Sequence, residues 1–170
     1  MYDFSWFYIT IDSLKMDYDS LSKEYEQVLE IDRFLGSIAL RESSGDQWNV
    51  NQYGMLGLYQ FDPKTLTYLG IKETKSNYLN DIGAQNFAMI KYLKYNKKKL
   101  NKYIERYDGK THKGIYVTTS GILAGAHLMG AGGVMDFFDD SGRYKQYDGN
   151  DVHVSEYIAQ FSGYDIEFIN

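Results

Sequence analysis

The run from Thr118 to Met129 constrains the fold more than any other stretch. Ile122, Leu123, Ala124, Ala126 and Leu128 make it the most apolar segment of the 170-residue chain. A helix so apolar has to be wrapped by other elements, so it is expected to be the central buried helix. Gly121 and Gly125 fall four residues apart on one face of it, which permits close approach of a neighbouring helix. No stretch approaches the roughly 18 consecutive apolar residues of a membrane helix, so no membrane span is expected. At this length the chain is read as one domain over residues 1–170, with residues 1–18 as an N-terminal arm covering the core.

The remaining elements read as mainly helical. Tyr2, Phe4 and Trp6 alternate, which also allows a short strand in the arm. Asp19 or Ser20 can cap a helix to about Leu29, and a second helix, roughly Glu30 to Ser43, either follows it or continues it. From Gln47 to Phe61 the helical stripe is absent, and Gly54 and Gly57 suit turns, so a small irregular hairpin is expected. Asp62-Pro63 starts a helix that ends near Gly70. A charged loop containing Glu73 follows, then a long helix from about Asp81 to Tyr107 with a buried stripe of Ile82, Met89, Leu93, Leu100 and Ile104. Lys94, Lys97, Lys98, Lys99 and Lys102 form its wet face. Asp108 to Lys113 reads as a loop, Val134 to Asp139 as a short helix, Ser141 to Asp151 as a polar loop, and Ser155 begins the last helix.

Composition narrows the function classes. Lys and Arg number 18 against 23 Asp and Glu, a net charge of −5, which argues against a nucleic-acid partner. The chain has no cysteine, which removes disulfides and thiolate metal sites. Asp148-Gly149-Asn150-Asp151 lacks the spacing and closing Glu of a calcium loop and reads as a turn. No metal and no cofactor are expected. Residues 1–14 show no basic start and no clean apolar run, so no signal peptide is visible. The chain is then either a domain excised from a longer protein or one exported by another route.

One carboxylic acid is singled out by its position. Val28, Ile31, Leu35 and Ile38 recur at helical spacing, and the next step of that stripe is Glu42. A carboxylate on an apolar face is costly to desolvate, so its pKa is expected to rise. Its place in the last turn, before Ser43-Ser44-Gly45, pushes the same way. A neutral glutamic acid at a helix end is what glycoside cleavage requires of its proton donor. The alternative is a side chain that curls out to solvent at a frayed helix end.

Eighteen residues after Glu42-Ser43 stands Gln60, closing Gly57-Leu58-Tyr59-Gln60. This pair of motifs resembles the Glu-Ser and Gly-Leu-Met-Gln motifs of the lytic transglycosylases, in the goose-type lysozyme-like superfamily. The interval matches, and Tyr59 stands in place of Met. Ala126 to Val134 is similar to the family's Ala-Tyr-Asn-Ala-Gly-x-Gly-x-Val motif, but His127 and Leu128 replace its Tyr-Asn pair. Tyr157, in Ser155-Glu156-Tyr157-Ile158, is similar to the late family tyrosine that lies near the acid. Gln85 and Asn86 match loosely the segment before the family's long central helix.

The resemblance implies a lysozyme-like helical domain with a small irregular β-hairpin beside an active-site groove. It also implies peptidoglycan as substrate, cut between N-acetylmuramic acid and N-acetylglucosamine. Glu42 takes the catalytic role, and Ser43, Tyr53, Gly57, Leu58, Tyr59, Gln60, His127 and Tyr157 are candidates to meet the glycan. His127 can equally be a core histidine. A hydrolase generally wants a second carboxylate about 5–9.5 Å away; Asp46 and Glu73, with Asp62 and Asp81, are the candidates, and none has a spacing that demands the role. A lytic transglycosylase needs Glu42 alone, and that reading is preferred over a muramidase, a chitin-cleaving hydrolase or a non-catalytic glycan-binding module. The site of action would be the bacterial wall. Delivery by a phage, by a secretion apparatus or by the cell's own machinery is left open.

Overall fold

The computed structural model describes the backbone of residues 5–167 and 169, with side chains from residue 19 onward. It is mainly helical, with six helices and one two-stranded antiparallel sheet among the described residues. The order is α1 (Ser5–Ser43), α2 (Pro63–Tyr68), α3 (Lys75–Asn80), α4 (Ile82–Tyr107), β1 (Lys110–His112), β2 (Ile115–Val117), α5 (Thr119–Asp139) and α6 (Val154–Phe161).

Helix α1 replaces the expected arm and pair of helices. It runs unbroken from residue 5, because no proline and only Gly36 interrupts it. Residues 1–4 of the expected arm lie outside the described residues. The buried stripe is Ile31, Phe34, Leu35 and Ile38. Val28, expected within it, is 44% exposed, since the body of the fold begins one turn later. The helix stops where Ser44 (φ 58°) and Gly45 (φ 78°) turn left-handed and the Gly45 amide reaches back to the Ala39 carbonyl at 3.1 Å.

The segment after α1 is a double turn. Asn51 Oδ1 accepts from the amides of Tyr53 and Met55, closing a first loop. Leu56 and Phe61 exchange both backbone hydrogen bonds at 3.0 Å, closing a second around Gly57 and Gln60, both at positive φ. These are isolated bridges rather than strands. The regular strand pair lies at 110–117, where a loop was expected over Asp108–Lys113. There Lys113 and Gly114 supply two successive positive-φ residues and fold His112 against Ile115.

Caps explain the next helix starts. Asp62 Oδ1 accepts from the Lys64 amide with Pro63 following, and Asp81 Oδ1 accepts from the Ala84 amide. Thr74 caps α3, a turn of helix absent from the sequence reading. In α4, Met89, Leu93 and Leu100 are fully buried and Ile104 partly so. Ile82, expected to be buried, is 49% exposed because it sits in the first turn, outside the packed length.

Helix α5 is the buried centre, as its sequence requires. The expected short helix from Val134 is its second half, reached through a bend at Gly130 (φ 69°, ψ 168°). By length and composition α5 could cross a membrane, contrary to the reading that no stretch came close; most of it is buried among other helices, as core helices are. At Gly121 an added Cβ would sit 2.4 Å from the Ile158 carbonyl oxygen, and at Gly125 2.9 Å from Ile158 Cγ1. The missing side chains are what let α6 lie against α5.

Candidate active-site cleft

A cleft of about 290 Å³ opens where α1, the double turn, α4, α5 and the 141–151 loop converge. Glu42, Gln60, Tyr53, His127, Asp62 and Asp148 are among its lining residues. Glu42 reaches it from the last turn of α1, with its side chain 16% exposed. It neither curls out to solvent nor disappears into the core.

One group holds the acid and a second lies beside it. Tyr157 on α6 donates its hydroxyl to Glu42 Oε1 at 2.6 Å. Burial, followed by the adjacent Glu42 charge and hydrogen bond, pushes the Tyr157 pKa far up, so it stays a donor. His127 Nε2 lies 4.0 Å from the same Oε1 but hydrogen-bonds the Tyr59 carbonyl at 2.9 Å. A carbonyl can only accept, so Nε2 carries the proton and Nδ1 the lone pair. Burial lowers the His127 pKa despite Glu42, which favours a neutral ring. The contact is therefore proximity rather than an ion pair. Nδ1 is buried and has no partner, an acceptor with nothing to accept.

The structure divides the sequence candidates. Glu42, Tyr53, Gln60 and His127 line the cleft, and Tyr157 stands behind the acid. Tyr53 is 63% exposed at the rim. Gln60 folds its amide onto the Gly57 carbonyl at 2.8 Å, which holds its own turn closed. Ser43, Gly57, Leu58 and Tyr59 do not line the cleft. They brace it from behind, a correction to their reading as glycan contacts. Ser43 Oγ donates to the Ala39 and Leu58 carbonyls, tying the end of α1 to the turn. Buried Gln85 accepts from the Leu58 amide at 2.7 Å and donates to the Gln47, Tyr78 and Leu79 carbonyls. The Tyr59 ring is buried, with its hydroxyl on Asn86 Oδ1 at 2.7 Å. The motif residues are short or inward-facing because they set where Glu42 and Gln60 stand.

Neither proposed second carboxylate reaches the cleft. Asp46 is exposed and accepts from the Trp48 amide, while Glu73 lies in a different depression beside Pro63 and Lys75. Asp81 is occupied as the cap of α4. Asp62 does line the cleft, as does Asp148, which the sequence showed only as part of a turn. Asp62 Oδ1 is engaged by the Lys64 amide, and Asp148 Oδ1 by the amides of Asn150 and Val152.

The Asp148 loop has an anchor that sequence reading missed. Asp136, buried on α5, accepts from Ser141 Oγ, the Arg143 amide and Gln146 Nε2 at 2.5–2.7 Å. Those bonds, Ser141 and Gln146 first, hold its pKa at about 2. An acid inside an apolar helix, followed by a loop of donors, is the signal that could have revealed it. Among the described residues no group of three or more His, Asp or Glu side chains is placed to hold a metal ion. No protein-family model, curated protein or solved structure matches the chain.

Proposed function

We propose that the protein is a peptidoglycan-cleaving lytic transglycosylase on a lysozyme-like helical fold, with Glu42 as its single acid and base. The observation that carries this reading is a carboxylic acid at a helix end, on a cleft, held on one oxygen by Tyr157. With Oε1 engaged, Oε2 is the oxygen left for proton transfer. It protonates the glycosidic oxygen between N-acetylmuramic acid and N-acetylglucosamine as that bond breaks. The resulting carboxylate then takes the proton from the muramic acid 6-hydroxyl, which closes a 1,6-anhydro ring on C1 without water. Tyr53, exposed at the rim, suits stacking on a sugar ring. The place of action would be the bacterial wall, with the glycan strand as partner and a phage or secretion assembly among the possible means of delivery.

A second reading, hydrolysis, is favoured by one observation: Asp62 and Asp148 share the cleft with Glu42. Mass spectrometry of muropeptides from digested sacculi separates the two. Anhydro ends support the transglycosylase; reducing ends lost in Asp62→Asn or Asp148→Asn support a muramidase. Glycan binding without turnover, unchanged in Glu42→Gln, would mean a non-catalytic module and would end both.

A further inference from the structure

A pair of tyrosines extends one wall of the cleft. Thr65 on α2 and Tyr92 on α4 line the cleft itself. Three residues further along each helix, on the same side, stand Tyr68 and Tyr95. The two helices meet there: Tyr68 donates its hydroxyl to the Tyr95 hydroxyl at 3.2 Å, and the rings pack edge to face with centroids 5.5 Å apart. Tyr68 is 69% exposed, yet both its hydroxyl and its ring are engaged. An exposed aromatic already held in one orientation loses little freedom when it binds.

Charge changes sign along the same wall. Glu42, Asp62 and Asp148 line the cleft, and among the described residues no Lys or Arg does. From Lys91 to Lys102, α4 carries six of the chain's 18 basic residues and no acid. Lys99 lies two turns past Tyr92, about 10 Å along the helix, with Nζ 4.6 Å from the Tyr95 ring centroid. Lys91 stands one turn before Tyr95, its Nζ beside Gly70 at the end of α2. Both lysines are exposed, and among the described residues neither forms an ion pair.

We propose that Tyr68 and Tyr95, with Lys91 and Lys99 beside them, form a second subsite for the strand held in the cleft, the rings taking a sugar and the lysines a carboxylate of its peptide stem. The inference rests on the reading of the cleft as a glycan site and adds how the strand lies along it. A pyranose presents a face of C–H groups that packs on an aromatic ring. The peptide stems of peptidoglycan end in carboxylates, which the acidic cleft repels. Lys91 and Lys99 put cations where the wall leaves the cleft, so a stem runs toward α4 and not across Asp62 and Asp148.

Binding of the full chain carrying Glu42→Gln to three immobilised probes tests it: whole sacculi, glycan strands stripped of peptide by an amidase, and phosphatidylglycerol vesicles. Adding Tyr68→Ala and Tyr95→Ala should weaken binding to both glycan probes about tenfold. Adding Lys91→Gln and Lys99→Gln instead should weaken binding to sacculi, leave binding to stripped strands unchanged, and flatten the salt dependence. Tyr116→Ala, which removes an exposed tyrosine on β2, should change neither. Unchanged binding in the tyrosine variant, a lysine effect that persists on stripped strands, or tighter binding to vesicles than to sacculi would overturn the proposal. Cleavage is read separately with Glu42 intact. No product, with the binding pattern above, ends the proposed chemistry and keeps the subsite; product with unchanged binding in the tyrosine variant does the reverse.

Discussion

Replacing Gly57 with alanine tests how the double turn is held behind the cleft. The backbone there has φ 73°, which costs an L-residue about 1–2 kcal/mol. The new Cβ would also lie 2.3 Å from Gln85 Oε1 and 2.8 Å from its Cδ, so the carboxamide has to leave. Gln85 is fully buried, and its departure breaks the bond from the Leu58 amide and those to the Gln47, Tyr78 and Leu79 carbonyls. At about 1 kcal/mol for each of two or three of these, the loss is roughly 2–3 kcal/mol. Gly57→Ala should therefore destabilise by about 3–5 kcal/mol, a large part of the roughly 5–15 kcal/mol that holds such a domain. Urea unfolding followed by far-ultraviolet circular dichroism measures it. Gln85→Ala alone should cost about 2–3 kcal/mol through the same orphaned groups. In the double variant the clash has nothing to displace, and only the φ penalty adds to the Gln85→Ala cost. The two single costs should then exceed the double by about 2–3 kcal/mol. A cost below about 1 kcal/mol for Gly57→Ala, or a cycle additive to within about 0.5 kcal/mol, would refute this account of the turn.

Two further outcomes follow from the same geometry. Tyr157→Phe removes the 2.6 Å hydrogen bond to Glu42 Oε1 and keeps the ring. This bond fixes the Glu42 side chain and is made to a full charge once the proton has been given up, so its loss should lower kcat on sacculi by about ten- to a hundredfold, while glycan binding changes little; unchanged turnover would remove Tyr157 from the site. Asp136 has a folded pKa of about 2, below the ordinary carboxylate value of 3.8. Its contribution to stability is thus fully present above pH 3.8 and lost as pH falls through about 2. Acid titration should show the 141–147 loop opening in that window, read by hydrogen exchange at the Arg143 amide. In Asp136→Asn that amide should exchange readily even at neutral pH, and equal protection in both proteins would contradict the anchoring role.

The place of the acid was legible in two steps: helical periodicity carries Glu42 from the apolar stripe to the helix end but leaves a solvent-facing side chain equally open, and the interval to Gln60 is what favoured the cleft. Gln60 followed from that interval, and Tyr157 from a local resemblance to a late motif of the same family. The roles of Ser43, Gly57, Leu58 and Tyr59 were not legible. A motif interval fixes where residues sit in a fold, but not whether a given side chain faces the cleft or braces its back. Gln85 shows why: its four hydrogen bonds join segments 27 and 38 residues away as well as nearer carbonyls, and no local pattern records them. Asp62 was visible as a helix cap, yet its place on the cleft depends on how α2 docks. The β1–β2 hairpin was missed although Gly109 and Gly114 punctuate it, because each strand is only three residues long.

The most direct test of the central claim is the muropeptide mass spectrum of sacculi incubated with the wild-type chain and with Glu42→Gln. Wild type should release 1,6-anhydro products. Glu42→Gln should release at least about a hundredfold less, the usual loss when a general acid is removed. Full activity in Glu42→Gln, or no glycan cleavage by wild type, would contradict the account.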